Sequence, residues 1–277
     1  MKISNYKNNL KLANAFLYSF FSKLESVFKK KHQDKLSLDD LWSEKFNKFK
    51  NKELIVHAGI KRLITHNAAS TTVEIIEFLE KKFEPTSIIS QSYSPSFRRS
   101  GIFSSKFSRA EIGAFAEEFR KFSNRRTPDP IHSVSYISKN LSLFKSINYK
   151  DTFGEDGFFA SLYFRDAVQI NIDTNRFIST YLHFLEEQLS VPYKHQNSIF
   201  EGFKVDDKVM SIKQKNHSYK YPLEFNRRKI YKYLKDNNVI FDIEKNASVI
   251  ISIVKIKDMH DLISEKILKD PYYLVTF

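Results

Sequence analysis

Short apolar runs alternate with amphipathic helical segments through the first two thirds of this chain, and this alternation limits the folds open to it. Strand-like runs occupy residues 53–57, 87–91, 134–137 and 167–172. Because helical segments separate these runs, the pattern predicts an α/β fold. After Ser190 the chain becomes β-rich, with a ribbon predicted over Phe203–Ile212 and a strand over Val249–Ile256. Short helices are predicted on both sides of that last strand, near Arg228–Asn237 and His260–Leu268.

Several helix starts are marked by a Ser or Thr followed three residues later by an acid, which is the spacing of a capping box. These pairs are Ser37 with Asp40, Thr71 with Glu74, and Ser108 with Glu111. The helix that begins at Ser108 is predicted to bury the apolar stripe Ile112, Phe115, Phe119 and Phe122.

The N-terminal segment, residues 1–35, has the pattern of a basic amphipathic helix. Apolar residues recur every fourth position before a run of three lysines, at Leu12, Phe16, Phe20, Leu24 and Phe28. Such a helix either contacts a membrane surface or a partner, or packs its stripe on the body of the protein, which is the favoured interpretation. We expect an N-terminal helical extension over residues 1–50 and one acetyltransferase-like α/β domain over residues 51–277, the latter for reasons given below.

The charge balance favours anionic partners. Lys and Arg number 45 against 32 Asp and Glu, a formal net charge of +13, which attracts nucleotides, coenzyme phosphates, nucleic acid or anionic membranes. A bias in residue usage explains the surplus equally well. The chain has no Cys, which excludes disulfides, thiolate metal sites and a cysteine nucleophile. No His, Asp and Glu set has metal-ligand spacing, so no metal is expected. No apolar run approaches the ~20 residues of a membrane span, and we expect a cytoplasmic protein.

Thr180, His183 and Glu186 place a hydroxyl, an imidazole and a carboxylate at intervals of three residues. On a helix each of these side chains neighbours the next. Imidazole is the commonest general base because its ordinary pKa lies near neutrality, and a carboxylate one turn away orients the ring or holds a cationic substrate. Most helical His/Glu pairs are solvated surface pairs, so the trio gains weight only from the motifs that accompany it.

Five motifs follow one another in a fixed order from about residue 50 to the C-terminus. They are Val56-His57-Ala58-Gly59 at a strand end; Ser108 with Gly113, Glu117 and Arg120; Arg126-Thr127-Pro128-Asp129-Pro130-Ile131-His132-Ser133; the turn Phe153-Gly154-Glu155-Asp156-Gly157-Phe158; and Thr180, His183 and Glu186 followed by Val191-Pro192-Tyr193. In this order they resemble the motifs of the antibiotic N-acetyltransferase family, of the aminoglycoside 3-N-acetyltransferase type.

The resemblance implies a mixed central sheet flanked by helices, with a smaller β-rich C-terminal part. It also implies a CoA-dependent N-acetyltransferase with acetyl-CoA as co-substrate. His183 would be the general base that takes a proton from the acceptor amine. Glu186 would orient His183 or hold a substrate ammonium, and Thr180 would donate a hydrogen bond to the developing oxyanion. Transfer would be direct, without an acyl-enzyme.

The resemblance further places the Arg126–Ser133 turn beside the pantetheine arm and pyrophosphate of the coenzyme. Arg126, Thr127 and Ser133 would then contact the coenzyme, although a surface Arg that caps the loop accounts for Arg126 almost as well. His57 would line the site on the coenzyme side, because α/β sheets present functional groups at strand ends.

The chain also departs from the family pattern. Asp129 stands where the family usually has His, and Gly59 stands where Ser is common. His132 is expected to be a structural residue held by hydrogen bonds.

The acceptor is open to three interpretations. A chain of net charge +13 repels polycationic aminoglycosides at long range unless the site itself is acidic. We therefore expect an anionic acceptor, a nucleotide-linked or phosphate-bearing amino sugar of polysaccharide or lipid-linked glycan synthesis. Aminoglycoside acetylation that confers antibiotic resistance is the alternative. A non-catalytic module for anionic glycan or nucleic acid is the third, because cations interleave with aromatic residues over Lys213–Lys220 and Arg227–Lys235. No nucleic-acid partner is expected, and homo-oligomers and membrane contact through residues 1–35 are left open.

Overall fold

The secondary structure comes from a computed structural model that describes residues 37–65, 68–174, 177–195, 198–245 and 249–276. The strands are β1 (Glu53–Ala58), β2 (Ser87–Gln91), β3 (Ile102–Phe103), β4 (Val134–Ser138), β5 (Val168–Ile172), β6 (Ser198–Val205), β7 (Val209–Asn216), β8 (Glu224–Phe225), β9 (Ile240–Lys245), β10 (Val249–Lys255) and β11 (Val275–Thr276). The α-helices are α1 (Ile60–Thr65), α2 (Thr72–Phe83), α3 (Phe97–Ser100), α4 (Ala114–Ser123), α5 (Phe158–Phe164), α6 (Tyr181–Gln188), α7 (Arg227–Asp236) and α8 (Ile256–Lys269). Short 3-10 helices cover Leu38–Leu41, Glu44–Phe49 and Leu141–Phe144.

A six-stranded sheet with the order β4-β2-β1-β5-β10-β9 forms the centre of the fold. Strand β1 is parallel to β2 and β5, whereas β4, β10 and β9 join antiparallel. All residues of β2 and β5 are buried, as expected for strands covered on both faces. The predicted α/β class with a mixed central sheet is therefore confirmed. The β-rich part after Ser190 contributes the β6/β7 hairpin, which pairs with β3, and the short pair β8/β11.

The strand order reverses at β1, because β2 lies on one side of it and β5 on the other. In open α/β sheets ligands bind outside the carboxyl ends of the strands at such a reversal. His57 lies near that end of β1 and pairs with Asn171 of β5, which in turn pairs with Ser252 of β10. The topology thus brings three polar residues together at the edge where a ligand is expected.

Residues 37–49 pack on the body of the protein. Ser37 caps the first 3-10 helix as predicted: the Asp40 amide donates to Ser37 Oγ at 3.3 Å, and the Ser37 amide donates to the Asp40 carboxylate at 2.8 Å. The ring of Phe49 lies 5.6 Å from that of Phe241, and Ser37–Phe277 forms one compact unit. The predicted basic helix of residues 1–35 lies outside the described residues. Within the described part of the chain, no helix is long and apolar enough to cross a membrane.

The capping prediction is right at Thr71 and wrong at Ser108. The Glu74 amide donates to Thr71 Oγ1 at 3.2 Å, at the start of α2. Helix α4 instead begins at Ala114, because the Ser108 hydroxyl accepts from the Ser104 amide and the Glu111 carboxylate accepts from Ser96. The stripe shifts accordingly: Phe115 and Phe119 are buried, while Ile112 and Phe122 are exposed.

Gly59 marks a close approach of two backbone segments. Its amide donates to the Ile172 carbonyl at 2.8 Å, and a Cβ at this position would lie 2.2 Å from the carbonyl oxygen of Asp173. No side chain fits there, which explains why this chain has Gly where Ser is common in the family that it resembles.

We predict that Gly59→Ala lowers the free energy of unfolding by about 1–3 kcal/mol, because the end of β1 must move away from the backbone that follows β5. Urea denaturation of the two proteins measures the change. An unchanged midpoint would show that these segments are not packed as described.

Candidate active site

The His183–Glu186 pair forms as the spacing predicts. Helix α6 begins at Tyr181, with Thr180 at its N-cap position. His183 Nδ1 lies 2.9 Å from Glu186 Oε2. The Glu186 side chain is 0% exposed, whereas that of His183 is 32% exposed. The imidazole therefore has one nitrogen held by a buried carboxylate, and no described residue bonds its Nε2.

Several further groups satisfy the Glu186 carboxylate. Tyr193 Oη donates to Oε1 at 2.8 Å and Tyr219 Oη donates to Oε2 at 3.1 Å. Lys194 Nζ lies 3.6 Å from Oε2, and Tyr219 Oη is also 3.1 Å from His183 Nδ1. Burial alone would raise the pKa of Glu186, but the bond and charge of His183, the charge of Lys194 and the bond from Tyr193 outweigh it, so the pKa lies below its ordinary value. The carboxylate is ionised at neutral pH.

A second ionic cluster lies beside the first. His217 Nδ1 is 3.1 Å from Glu187 Oε2, and His217 Nε2 is 3.2 Å from Asp151 Oδ1. Lys215 pairs with both carboxylates, at 2.6 and 2.9 Å. Burial opposes ionisation of Glu187, yet the bonds from His217 and Lys215 lower its pKa to about 2. The Phe153 ring lies between the two clusters, 5.8 Å from the His183 ring and 4.7 Å from that of His217.

His183 lines a cavity of about 220 Å³. Thr180 lines the same cavity, and so does His57, which its position at a strand end predicts for the coenzyme side of the site. Tyr93, Ser179 and Arg227 complete the polar lining; the motifs did not single out any of these three. Burial lowers the pKa of His57 to about 4, and its Nε2 has no hydrogen-bond partner among the described residues. Burial also raises the pKa of Tyr93, so both groups are neutral at physiological pH.

A larger cavity of about 640 Å³ adjoins the first. The two cavities share Phe177, Phe225 and Arg227 as lining residues. Asn171 and Ser252 of the central sheet line the larger one.

The side chain of Arg126 is directed into its own loop. Its Nε donates to Ser133 Oγ at 2.9 Å and its Nη2 to Ser94 Oγ at 2.8 Å, and its terminal nitrogens also bond the carbonyls of Ser92 and Ser108. The Ser133 hydroxyl in turn donates to the Ser92 carbonyl at 2.8 Å. This is the geometry of an Arg that caps a loop. Arg126 also borders a basic cleft of about 590 Å³, whose other cations are Lys106, Arg120, Arg125, Lys204 and Lys208.

Thr127 and Asp129 also stabilise the turn. Thr127 Oγ1 accepts from the Val134 amide at 2.9 Å. Asp129 Oδ1 accepts from the amides of Ile131 and His132, at 2.7 Å each, as Asp does in many turns. Asp129 is 1% exposed, and burial raises its pKa to about 7. The Asp that replaces the family's usual His therefore holds the backbone of the turn.

His132 lacks the hydrogen bond expected of it. Its Nδ1 is buried without a partner among the described residues. Its ring instead packs 5.3 Å from that of Tyr93 and 4.9 Å from that of Phe153. The His132 ring is thus held by aromatic contacts, and its backbone amide by Asp129. Among the described residues, no group of three or more His, Cys, Asp and Glu could hold a metal ion.

Comparison with known proteins identifies the family. The family model for aminoglycoside 3-N-acetyltransferases matches residues 80–265. The chain belongs to this family. The resemblance seen in the five sequence motifs is confirmed, and with it the class of enzyme: the family consists of CoA-dependent N-acetyltransferases, for which acetyl-CoA is the co-substrate.

Solved structures share the fold at low sequence identity. YokD from Bacillus subtilis superposes with a TM-score of 0.64 at 14% identity, over 82% of this chain and 91% of that chain. A variant of the aminoglycoside acetyltransferase AAC(3)-IVa, in complex with a gentamicin, gives 0.68 at 13% identity, over 88% and 93%. The binary complex of AAC-IIIb with CoASH gives 0.65 at 15% identity, over 79% and 91%. No curated protein matches the chain in sequence.

We predict that the native protein loses stability as the pH rises because Asp129 ionises, and that Asp129→Asn abolishes this loss. The folded-state pKa of about 7 lies above the unfolded value of about 4, so the folded state holds a proton that the unfolded state releases. The contribution of Asp129 to stability is then most favourable below pH 4 and falls between pH 4 and 7, by about 4 kcal/mol at roughly 1.36 kcal/mol per pKa unit.

Urea denaturation of Asp129→Asn and native protein at pH 4.5 and 8 tests this prediction. The difference in unfolding free energy between the two proteins should move in favour of the Asn variant at the higher pH. A constant difference would show that Asp129 ionises normally in its turn.

Proposed function

We propose that this protein transfers an acetyl group from acetyl-CoA directly to an amine of an anionic amino sugar, nucleotide-linked or phosphate-bearing, in the synthesis of a surface polysaccharide or lipid-linked glycan. One observation carries the choice of acceptor. His183, which pairs with Glu186, lines a cavity. Apart from the histidines, the charged residue that lines this cavity within the described part of the chain is Arg227. The described residues that line this cavity include no carboxylate. A polycation would meet repulsion beside the general base, whereas an anion would be attracted.

In the proposed reaction the amine nitrogen attacks the thioester carbonyl carbon. His183 Nδ1 is bonded to Glu186 and Tyr219, so Nε2 is the atom that accepts the amine proton. The C–N bond forms, the C–S bond breaks, and the departing thiolate of the coenzyme takes the proton from His183. The ionised Glu186 stabilises the imidazolium between these steps, and Thr180 donates to the oxyanion of the tetrahedral intermediate.

For the coenzyme we propose that the Arg126–Ser133 turn forms a wall beside the pantetheine arm. Arg126, Thr127 and Ser133 use their side-chain hydrogen bonds within the loop, so they would fix the shape of this wall. The coenzyme phosphates would meet the neighbouring basic cleft, where Arg125 and Lys208 form no ion pair with a described residue. His57 faces the cavity in which transfer occurs.

A specific observation supports aminoglycosides as the second candidate. Glu224 and Glu244 line the larger cavity, and carboxylates hold the ammonium groups of such acceptors. Acetylation of an aminoglycoside would make the protein a resistance enzyme. The larger cavity also contains Arg227 and Arg228, which oppose this assignment.

We predict that His183→Ala lowers kcat by about 100- to 10,000-fold, the usual contribution of general-base catalysis, and leaves the coenzyme bound. Steady-state rates measure the first effect, and the rise in melting temperature with acetyl-CoA measures the second. The matched control is His195→Ala, which removes an exposed imidazole outside both cavities. An unchanged kcat in His183→Ala would contradict the role of general base. No thermal shift of the native protein would contradict the coenzyme site.

We also predict that kcat/KM is higher for a phosphorylated hexosamine than for tobramycin, and that the advantage shrinks with added salt, because long-range attraction is screened. Release of the CoA thiol measures both rates, and a thiol reagent gives no background because the chain contains no Cys. Faster transfer to tobramycin would overturn the anionic acceptor and favour the resistance enzyme.

A further inference from the structure

A row of polar side chains crosses the central sheet beneath the two cavities. The strand register pairs His57 with Asn171 and Asn171 with Ser252. Directly paired residues of neighbouring strands point to the same face, with Cβ atoms about 5 Å apart. His57 lines the smaller cavity with His183, whereas Asn171 and Ser252 line the larger one. The row therefore leads from the general base into the adjoining space.

Polar atoms in this row lack partners. Asn171 is 2% exposed, yet its Nδ2 forms no hydrogen bond with a described residue, while its Oδ1 accepts from the Ile178 amide at 3.3 Å. His57 Nε2 is also buried and unbonded within the described part of the chain. Burying such groups without a hydrogen bond costs free energy, which a ligand with hydroxyl groups recovers on binding.

Two arginines begin helix α7 at the border of the same space. Arg227 lines both cavities and Arg228 lines the larger one. Neither side chain pairs with a described carboxylate, in contrast to Lys235 of the same helix, which bonds Asp242 at 2.9 Å. Cations in the first turn oppose the helix dipole, so their position is unfavourable for the helix alone. Together the two guanidinium groups form a site suited to an anion.

We propose that this groove is the acceptor subsite and that it recognises two features of one ligand. His57, Asn171 and Ser252 bond the hydroxyl groups of a sugar ring, and Arg227 and Arg228 hold a phosphate attached to that sugar. This assignment rests on the proposed function, which supplies the amine and the general base. The ribose phosphate of CoA offers the same two features, hydroxyl groups and a phosphate. The experiment below distinguishes the acceptor from the coenzyme as the ligand of this groove.

The test is calorimetric binding of glucosamine 6-phosphate and of glucosamine, each with and without free CoA. The native protein should bind the phosphorylated sugar at least about tenfold more tightly, as charge-assisted bonds from Arg predict. Arg227→Ala should abolish this preference and leave CoA affinity unchanged. Ser252→Ala should weaken binding of both sugars by a similar factor. Lys232→Ala, which removes a cation of α7 that pairs with Asp236 outside both cavities, should change nothing.

Each contrary outcome is distinct. Equal affinity of the native protein for the two sugars overturns the proposal, and so does an Arg227→Ala variant that loses CoA affinity instead, because the phosphate would then be that of the coenzyme. Phosphate-dependent binding without acetyl transfer to any amine would refute the proposed function and leave the subsite standing. Acetyl transfer without a phosphate preference would support the proposed function and refute the phosphate subsite.

Discussion

A carboxylate that is completely buried requires compensating charges and hydrogen bonds, and Glu186 determines the arrangement of the site around it. Its partners come from three parts of the chain: His183 one turn earlier in α6, Tyr193 and Lys194 just after that helix, and Tyr219 after β7. Satisfying this one charge brings these segments together. The same bonds fix the imidazole by its Nδ1 and leave Nε2 for chemistry. The geometry of the candidate base thus follows from the burial of its neighbour.

The sequence predicts the parts of this arrangement that depend on local spacing. The strands at residues 53–57 and 87–91 and the His183–Glu186 pair follow from apolar runs and helical periodicity. Contacts between distant segments have no local signal, which is why Tyr219, 36 positions from His183, was not anticipated. The start of α4 was wrong for a related reason: a tertiary bond from Ser96 uses the carboxylate of Glu111 that the capping pattern assigned to the helix.

A family pattern specifies which residues stand at a site, but it does not specify which of their atoms remain free. Arg126 shows the difference, because its guanidinium is committed to Ser133, Ser94 and backbone carbonyls of its own loop. Asp129 is a second example. It stands where the family usually has His, and its carboxylate accepts hydrogen bonds from two backbone amides of the turn. Motif residues beside a ligand therefore divide into those that contact it and those that shape the wall around it, and only coordinates distinguish the two kinds.

The electrostatics on the two sides of His183 favour one direction of proton transfer. Arg227 lines the cavity in front of the imidazole, and a nearby cation disfavours the charged form of an amine. In the proposed reaction this favours the neutral form of the acceptor amine, which is the form that attacks a thioester. The ionised Glu186 lies on the opposite nitrogen and would pair with the imidazolium of the proposed reaction. A carboxylate in front of the base would instead hold the amine as an ammonium.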